Sequence, residues 1–240
     1  MKILIYNNAK DFRFSSLTKC LSVLDIEVGS VEGTATKQDI VNFNPTILIH
    51  NLPSKIKDDH DRFAEIVIDN ETYKRIGPFT GYIKDYIQDD DAFKSDIAYI
   101  GSPDDFDLEL YRYLNSDYDI KIFGNKPLPI MGYCGALTQN DTFNIYKNSK
   151  VSVVPKNDLG FREIDIIAAG GNPVKFKDKN QFHEEIESSI SNPIKVDDKL
   201  RDKVLKEKTV FDKMSEVLKY SGLTVLSKKL IEAKRQYIYD

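Results

Sequence analysis

Cysteine is scarce in this chain. Among its 240 residues only Cys20 and Cys134 carry a thiol. They stand far apart and form no CxxC pair, so neither a disulfide framework nor a cysteine-based zinc site is supported. A reducing, cytoplasmic setting is the expectation. No apolar run approaches the length of a membrane span. The opening residues, Met1-Lys2-Ile3-Leu4-Ile5-Tyr6, lack the apolar core and cleavage site of a signal peptide and read as a first β-strand. There is no low-complexity tract and no short internal repeat. A large charge excess is also missing. Lys and Arg number 34 against 38 Asp and Glu, a net charge of −4, which argues against a strongly electrostatic nucleic-acid binder. The lysines of 195–235 read as a solvated helix surface.

What is present is an α/β pattern. The chain is 41% hydrophobic and 30% charged, the balance of a soluble globular protein, and its length suits one large or two small α/β domains. A strand over 2–6 ends at Asn7-Asn8. A helix over 15–24 follows, capped by Ser15 or Ser16, with Leu17, Leu21 and Leu24 at helical spacing. A strand over 26–31, a helix over 36–43, a strand over 45–50 ending in His50, a charged helix over 57–63 and a strand over 65–68 continue the alternation. This is the pattern of a small parallel sheet wrapped by helices.

The rhythm breaks over 70–94, which reads as an interdomain connection. Its run Gln88-Asp89-Asp90-Asp91 is either a carboxylate site for a hard cation or a solvated linker or helix start. A second βα series then begins with a strand over 97–100, followed by Gly101-Ser102-Pro103. The pattern next predicts a helix over 106–114, a strand over 119–123, an extended piece over 129–133 and a helix over 138–148 capped by Thr138. After the stretch described next come helices over 181–188, 199–220 and 227–235. His60 and His183 lie among polar helical residues and read as surface positions.

The most informative stretch is 151–176. Val151-Ser152-Val153-Val154 is a short β-branched strand, and 155–160 is a loop. Phe161, Ile164, Ile167 and Ala168 recur at helical spacing until Gly170-Gly171 ends the helix, and a strand over 174–176 follows Pro173. In such a unit the helix start lies at the carboxyl edge of the sheet, where anionic ligands bind. Lys156, Asp158, Arg162, Glu163 and Asp165 fall there, either as part of a site or as solvated charges of an ordinary βαβ unit.

Over about 95–180 the chain resembles the donor half of GT-B glycosyltransferases, in particular the spore-maturation (CgeB-like) group and its family-four-type relatives. The residues that carry the resemblance are, in order, Asp96 to Ser102 (DIAYIGS), Lys121-Ile122-Phe123-Gly124, Gly132-Tyr133 with Ile145 to Val151 (IYKNSKV), and Arg162 to Gly171 (REIDIIAAGG). The last stands where the family has R-x-F-E-x-L-A-x-G-G, with Asp165 replacing the family's glutamate. The resemblance implies two Rossmann-like domains facing a cleft, over 1–90 on the acceptor side, unusually small, and over 95–222 on the donor side. It places 223–240 as a C-terminal helix of the kind that crosses back to the first domain. It also implies a cytoplasmic transferase that moves a sugar from a nucleotide-sugar donor, UDP-linked by expectation, to a hydroxyl acceptor, without a metal or other cofactor. The implied donor site comprises Gly101, Ser102, Phe123, Gly124, Tyr133, Lys156, Arg162, Asp165, Gly170 and Gly171. Asp165 would meet the ribose hydroxyls, and Arg162 or Lys156 the charge that develops on the leaving diphosphate.

For an inverting reaction the base should come from the first half, where His50 ends a strand. Asn7, Asn8 and Asn51 would bind acceptor hydroxyls. The acceptor is a saccharide, a cell-wall polymer, a protein or hydroxymethylated phage DNA. Alternative readings are a nucleotide-sugar epimerase, a non-catalytic nucleotide-sugar-binding module, and a GT-A enzyme with Asp105-Phe106-Asp107 as its metal-binding D-x-D motif. Removing Asp165 or Arg162 is expected to cut transfer and to leave folding nearly intact.

Overall fold

The computed structural model describes residues 1–7, 13–32, 35–50, 60–69, 77–88, 90–102, 106, 108–124, 126–193 and 196–239. In chain order its elements are β1 (Lys2–Asn7), α1 (Arg13–Ser22), β2 (Glu27–Glu32), α2 (Lys37–Phe43), β3 (Ile47–His50) and β4 (Ile66–Ile68). There follow β5 (Ser95–Ile100), α3 (Tyr111–Leu114), β6 (Ile120–Phe123), β7 (Tyr133–Gly135), α4 (Gln139–Asn148), β8 (Ser149–Val154), α5 (Phe161–Ala169) and β9 (Pro173–Lys175). The helices α6 (Lys179–Ser191), α7 (Asp198–Glu207), α8 (Val210–Tyr220) and α9 (Thr224–Ile238) complete the order. The chain forms two compact units, Met1–Gly81 with Thr209–Asp240, and Tyr82–Lys208. Each is α/β with a parallel, Rossmann-like sheet.

The first unit holds a sheet in the order β2-β1-β3-β4, with every pairing parallel. Side chains alternate across a strand. Leu4, Tyr6 and Leu48 therefore share one face, packed with Ala35 and Ile40. Ile3, Ile5, Ile47 and Ile49 face the other way, and all four are buried. Helix α2 starts on a capping box in which Thr36 and Asp39 bond reciprocally. Helix α1 starts at Arg13, ahead of the serines expected to cap it. Ser16 lies inside it, and its hydroxyl donates instead to the Gly81 carbonyl at 2.7 Å.

The second unit carries the order β7-β6-β5-β8-β9, again all parallel. Ile97, Tyr99, Ile122, Val151, Val153 and Val174 line one face and meet Phe182, Ile186 and Ile190 of α6. Full burial of one such phenylalanine contributes roughly 2–3 kcal/mol. Ala98, Ser152 and Val154 have the opposite parity, on the side of α4 and α5.

Several expectations need correction. The periodic stretch 199–220 is two helices. Thr209 leaves the helical region (φ −85, ψ 164) and forms a capping box with Asp212, and the Val210 N–H bonds the Thr80 carbonyl at 3.0 Å. Residues 106–114 give only a 3₁₀ turn and the short α3, because among the described residues there only Leu110 and Tyr113 are buried to anchor them. The extended piece expected at 129–133 lies later, as a strand at Tyr133–Gly135, after a turn through Gly132 at φ 79. Within the connection Phe79, Tyr82, Ile83 and Tyr86 are buried, whereas Gln88, Asp90 and Asp91 of the acidic run are exposed. Within its acidic run, Asp90 caps a 3₁₀ turn and Asp91 pairs with Lys94, while Asp89 lies outside the described residues.

His60 and His183 are buried rather than on the surface, each held by a tyrosine hydroxyl. The Tyr6 and His60 pair lies at 2.9 Å, and the Tyr113 and His183 pair at the same distance.

Candidate functional site

The strand order of the second unit marks one place on the edge of its sheet. Connections from β5 run one way to β6 and β7 and the other way to β8 and β9, so the order reverses between β5 and β8. Parallel sheets open a crevice at the carboxyl ends of the strands flanking such a reversal. Here those ends lead to Gly101-Ser102 and to 155–160, followed by the start of α5.

Helix α5 begins where the loop turns left-handed at Gly160, φ 92, which has no side chain to cap it. Asp158 does the capping. Its carboxylate accepts the Gly160 N–H at 3.0 Å and the Arg162 N–H at 3.2 Å. The Arg162 side chain reaches Tyr146 of α4, which bonds it. Desolvation pulls the guanidinium pKa down, but Tyr146, Asp158 and Tyr99 outweigh it and hold arginine above its ordinary value. Burial pushes the Tyr146 phenol up to about 12; Arg162 opposes this, and Asp165 and Asp158 add to it. The edge therefore holds a cation already set among acids and phenols. Sequence reasoning missed Tyr146 in this role, because a tyrosine on the apolar face of a helix carries no mark of a buried arginine partner.

The other expected donor-site residues divide by place. The Gly101 N–H donates to the Phe123 carbonyl, and the Gly124 N–H to the Gly135 carbonyl, both at 3.0 Å. The Tyr133 hydroxyl donates to the Gly124 carbonyl at 2.9 Å, and the Tyr99 hydroxyl to the Ser102 carbonyl at 3.2 Å. The first three bonds tie neighbouring strand ends together, and the last closes the turn after β5. Lys156 is exposed, its ammonium 3.8 Å from the centre of the Phe176 ring. Asp165 is 0% exposed. Gly170 and Gly171 are not at this edge. They close the far end of α5, about 13 Å along its 9 residues from the start. Gly170 ends the helix at φ 85, and a Cβ on Gly171 would lie 2.2 Å from the Tyr146 carbonyl oxygen.

In the first unit the order reverses between β1 and β3. His50 closes β3 and is 0% exposed. Its Nε2 lies 2.7 Å from Asp61 Oδ1, and its ring stacks on Tyr6 with centroids 5.4 Å apart. Burial, then the Asp61 charge, raises the Tyr6 pKa. Asp61 was not singled out from sequence, since eleven residues and a weak helical pattern separate it from His50. The Asn7 side chain, Asn8 and Asn51 lie outside the described residues, as do Asp105 and Asp107 of the D-x-D reading. Phe106 between them packs edge-on against Tyr99 and Tyr111.

No protein-family model matches the chain, and no curated protein matches it in sequence.

Proposed function

We propose that the protein is a glycosyltransferase of GT-B type that moves a sugar from a nucleotide-sugar donor to a hydroxyl acceptor, with the second unit as the donor-binding half. The observation that carries this reading is the reversal of strand order between β5 and β8, with Ser102, Asp158 and Arg162 following the two strand ends. A nucleotide sugar brings a diphosphate to such an edge, and Arg162 and Lys156 are the cations placed to meet it. The reaction joins the acceptor oxygen to the anomeric carbon and breaks that carbon's bond to the diphosphate. Negative charge grows on the leaving group, and Arg162 keeps its positive charge at any working pH. No metal is assigned a part in this reading. The first unit, with His50 and Asp61, is assigned to the acceptor side.

One observation favours a second reading, a module that binds the donor without moving its sugar. Both His50 and Asp165, the expected base and ribose partner, are 0% exposed. A panel of nucleotide sugars, followed by mass spectrometry for released nucleoside diphosphate and for glycosylated products, separates the two. Turnover of one donor supports the transferase. Binding without turnover supports the module. If no nucleotide or nucleotide sugar binds or raises the unfolding temperature, both readings fall.

A further inference from the structure

In the first unit, the hairpin of α8 and α9 ends in a tip that is basic and apolar at once. Helix α8 stops where Gly222 turns left-handed at φ 79 and the Leu223 N–H returns to the Leu218 carbonyl at 2.8 Å. Helix α9 then runs back along α8. The Ser215 and Ser227 hydroxyls tie the two at 2.7 Å, and the Phe211 and Tyr237 rings stack between them. At the tip Tyr220 is 87% exposed and Val225 71%. Lys219 stands beside Tyr220, and Lys228 and Lys229 lie one helical turn from Val225, all three exposed. No aspartate or glutamate occurs between Glu216 and Glu232. The neighbouring Lys213 and Lys234 pair with Glu216 and Asp212, whereas Lys219, Lys228 and Lys229 have no acid partner among the described residues.

We propose that this tip is a docking surface for an anionic phospholipid bilayer. Tyr220 and Val225 enter the boundary between head groups and acyl chains, and the three lysines reach the lipid phosphates while their stems stay in apolar surroundings. A tyrosine suits that boundary, with an apolar ring and a polar end that stays wet. A nucleic acid would meet the lysines but gains nothing from Val225, and the surface is the end of a hairpin rather than a groove that tracks a strand. A bilayer takes up both kinds of group. Binding of this kind is reversible, and each lysine close to an anionic surface strengthens it about fivefold. The inference does not depend on the nucleotide reading.

The chain contains no tryptophan, so Tyr220→Trp places its only indole at the tip. The emission of this variant of the full chain is followed as vesicles are added, either of phosphatidylcholine alone or of phosphatidylcholine and phosphatidylserine in equal parts. The expected result is a blue shift with the mixed vesicles that brominated acyl chains quench, and none with phosphatidylcholine. In sedimentation with the mixed vesicles, replacing Lys219, Lys228 and Lys229 together by glutamine should lower partitioning of the otherwise unchanged chain by about a hundredfold. Tyr220→Ser with Val225→Ser should lower it at unchanged charge. If a combined variant fails to fold, Lys228→Gln and Tyr220→Ser alone carry the comparison. Failure of the wild type to bind the mixed vesicles overturns the inference, as does binding that neither set of substitutions weakens. Loss with the lysines but not with Tyr220 and Val225 overturns it as well, since charge alone would then attract the surface. So does tighter binding to duplex DNA than to the vesicles at equal phosphate concentration.

Discussion

The carbonyl oxygen of Gly101 occupies the space where a side chain on Gly124 would begin, 2.3 Å from an ideal Cβ. Both residues follow strand ends at the carboxyl edge, and the obstacle is backbone that is itself fixed by the bond from the Gly101 N–H to the Phe123 carbonyl. Gly124→Ala is therefore expected to destabilise the second unit by about 1–3 kcal/mol. At Gly101 the obstacle is a side chain, because a Cβ there would meet the Tyr99 hydroxyl at 2.5 Å and ring carbons behind it at 2.7 and 2.8 Å. Tyr99→Phe removes the nearest of these atoms and should recover part of the Gly101→Ala loss, whereas nothing at Tyr99 rescues Gly124→Ala. Urea denaturation of the three single variants and of both double mutants with Tyr99→Phe checks this.

Tyr146 makes stability fall at alkaline pH. Its phenol stands at about 12 in the folded protein against 10.0 for the free side chain. A folded-state value above the unfolded one means that the unfolded chain loses its proton first. The stabilisation is whole below pH 10 and is lost as pH rises toward 12, a change of roughly 2–3 kcal/mol for a buried group. Tyr113, also pushed up to about 12 by burial, adds to the same slope. Tyr146→Phe should flatten the fall in stability between pH 10 and 12 while costing about 1.5–3 kcal/mol at neutral pH for the lost bond to the Arg162 cation. Unfolding free energies measured across that interval decide it. An unchanged slope would mean that Tyr146 ionises as freely folded as unfolded.

Asp212 is expected to be the more costly half of a buried ion pair. Its carboxylate accepts from the Thr209 backbone N–H, the Thr209 hydroxyl and the Lys234 ammonium, the last at 2.7 and 2.8 Å. Lys234 is only 6% exposed. Asp212→Asn removes the carboxylate charge that this buried ammonium bonds and weakens the start of α8, a loss of about 3–5 kcal/mol. Lys234→Met leaves the carboxylate engaged by the cap and fills similar space, so its cost should stay under about 2 kcal/mol. Equal losses in the two variants, by thermal or urea unfolding, would refute the asymmetry.

The parts of this fold that punctuation controls were legible in the sequence. Gly160 and Gly170 bound α5 where the glycines placed it, and Thr138 caps α4 as its position before an aspartate at the third turn residue predicts. Where tertiary structure overrides the pattern, the sequence misleads. Apolar spacing runs straight through Thr209, because Val204 and Leu205 bury in one unit while Phe211, Met214 and Leu218 continue the stripe in the other. His60 and His183 have polar neighbours along the chain, but their partners are tyrosines 54 and 70 residues away. The same limit applies at the candidate site. The charged residues near the β8 edge were visible, yet which of them point inward depends on Tyr146, on a different helix.

The burial of Asp165 changes what its removal should do. A residue 0% exposed and felt electrically by Tyr146 contributes to the interior of the second unit, so loss of function without loss of stability is no longer the expected outcome. Asp165→Asn keeps the volume and removes the charge. It should lower unfolding free energy by roughly 1–3 kcal/mol and, on the proposed function, change nucleotide affinity less than Arg162→Lys does, because lysine gives up the planar fork that bonds Tyr146 and that the proposal assigns to a phosphate. Calorimetric titration and urea unfolding on the same preparations separate the two effects. If Asp165→Asn abolishes nucleotide binding while unfolding stays at the wild-type value, the carboxylate opens to the ligand in solution and its ribose role is restored.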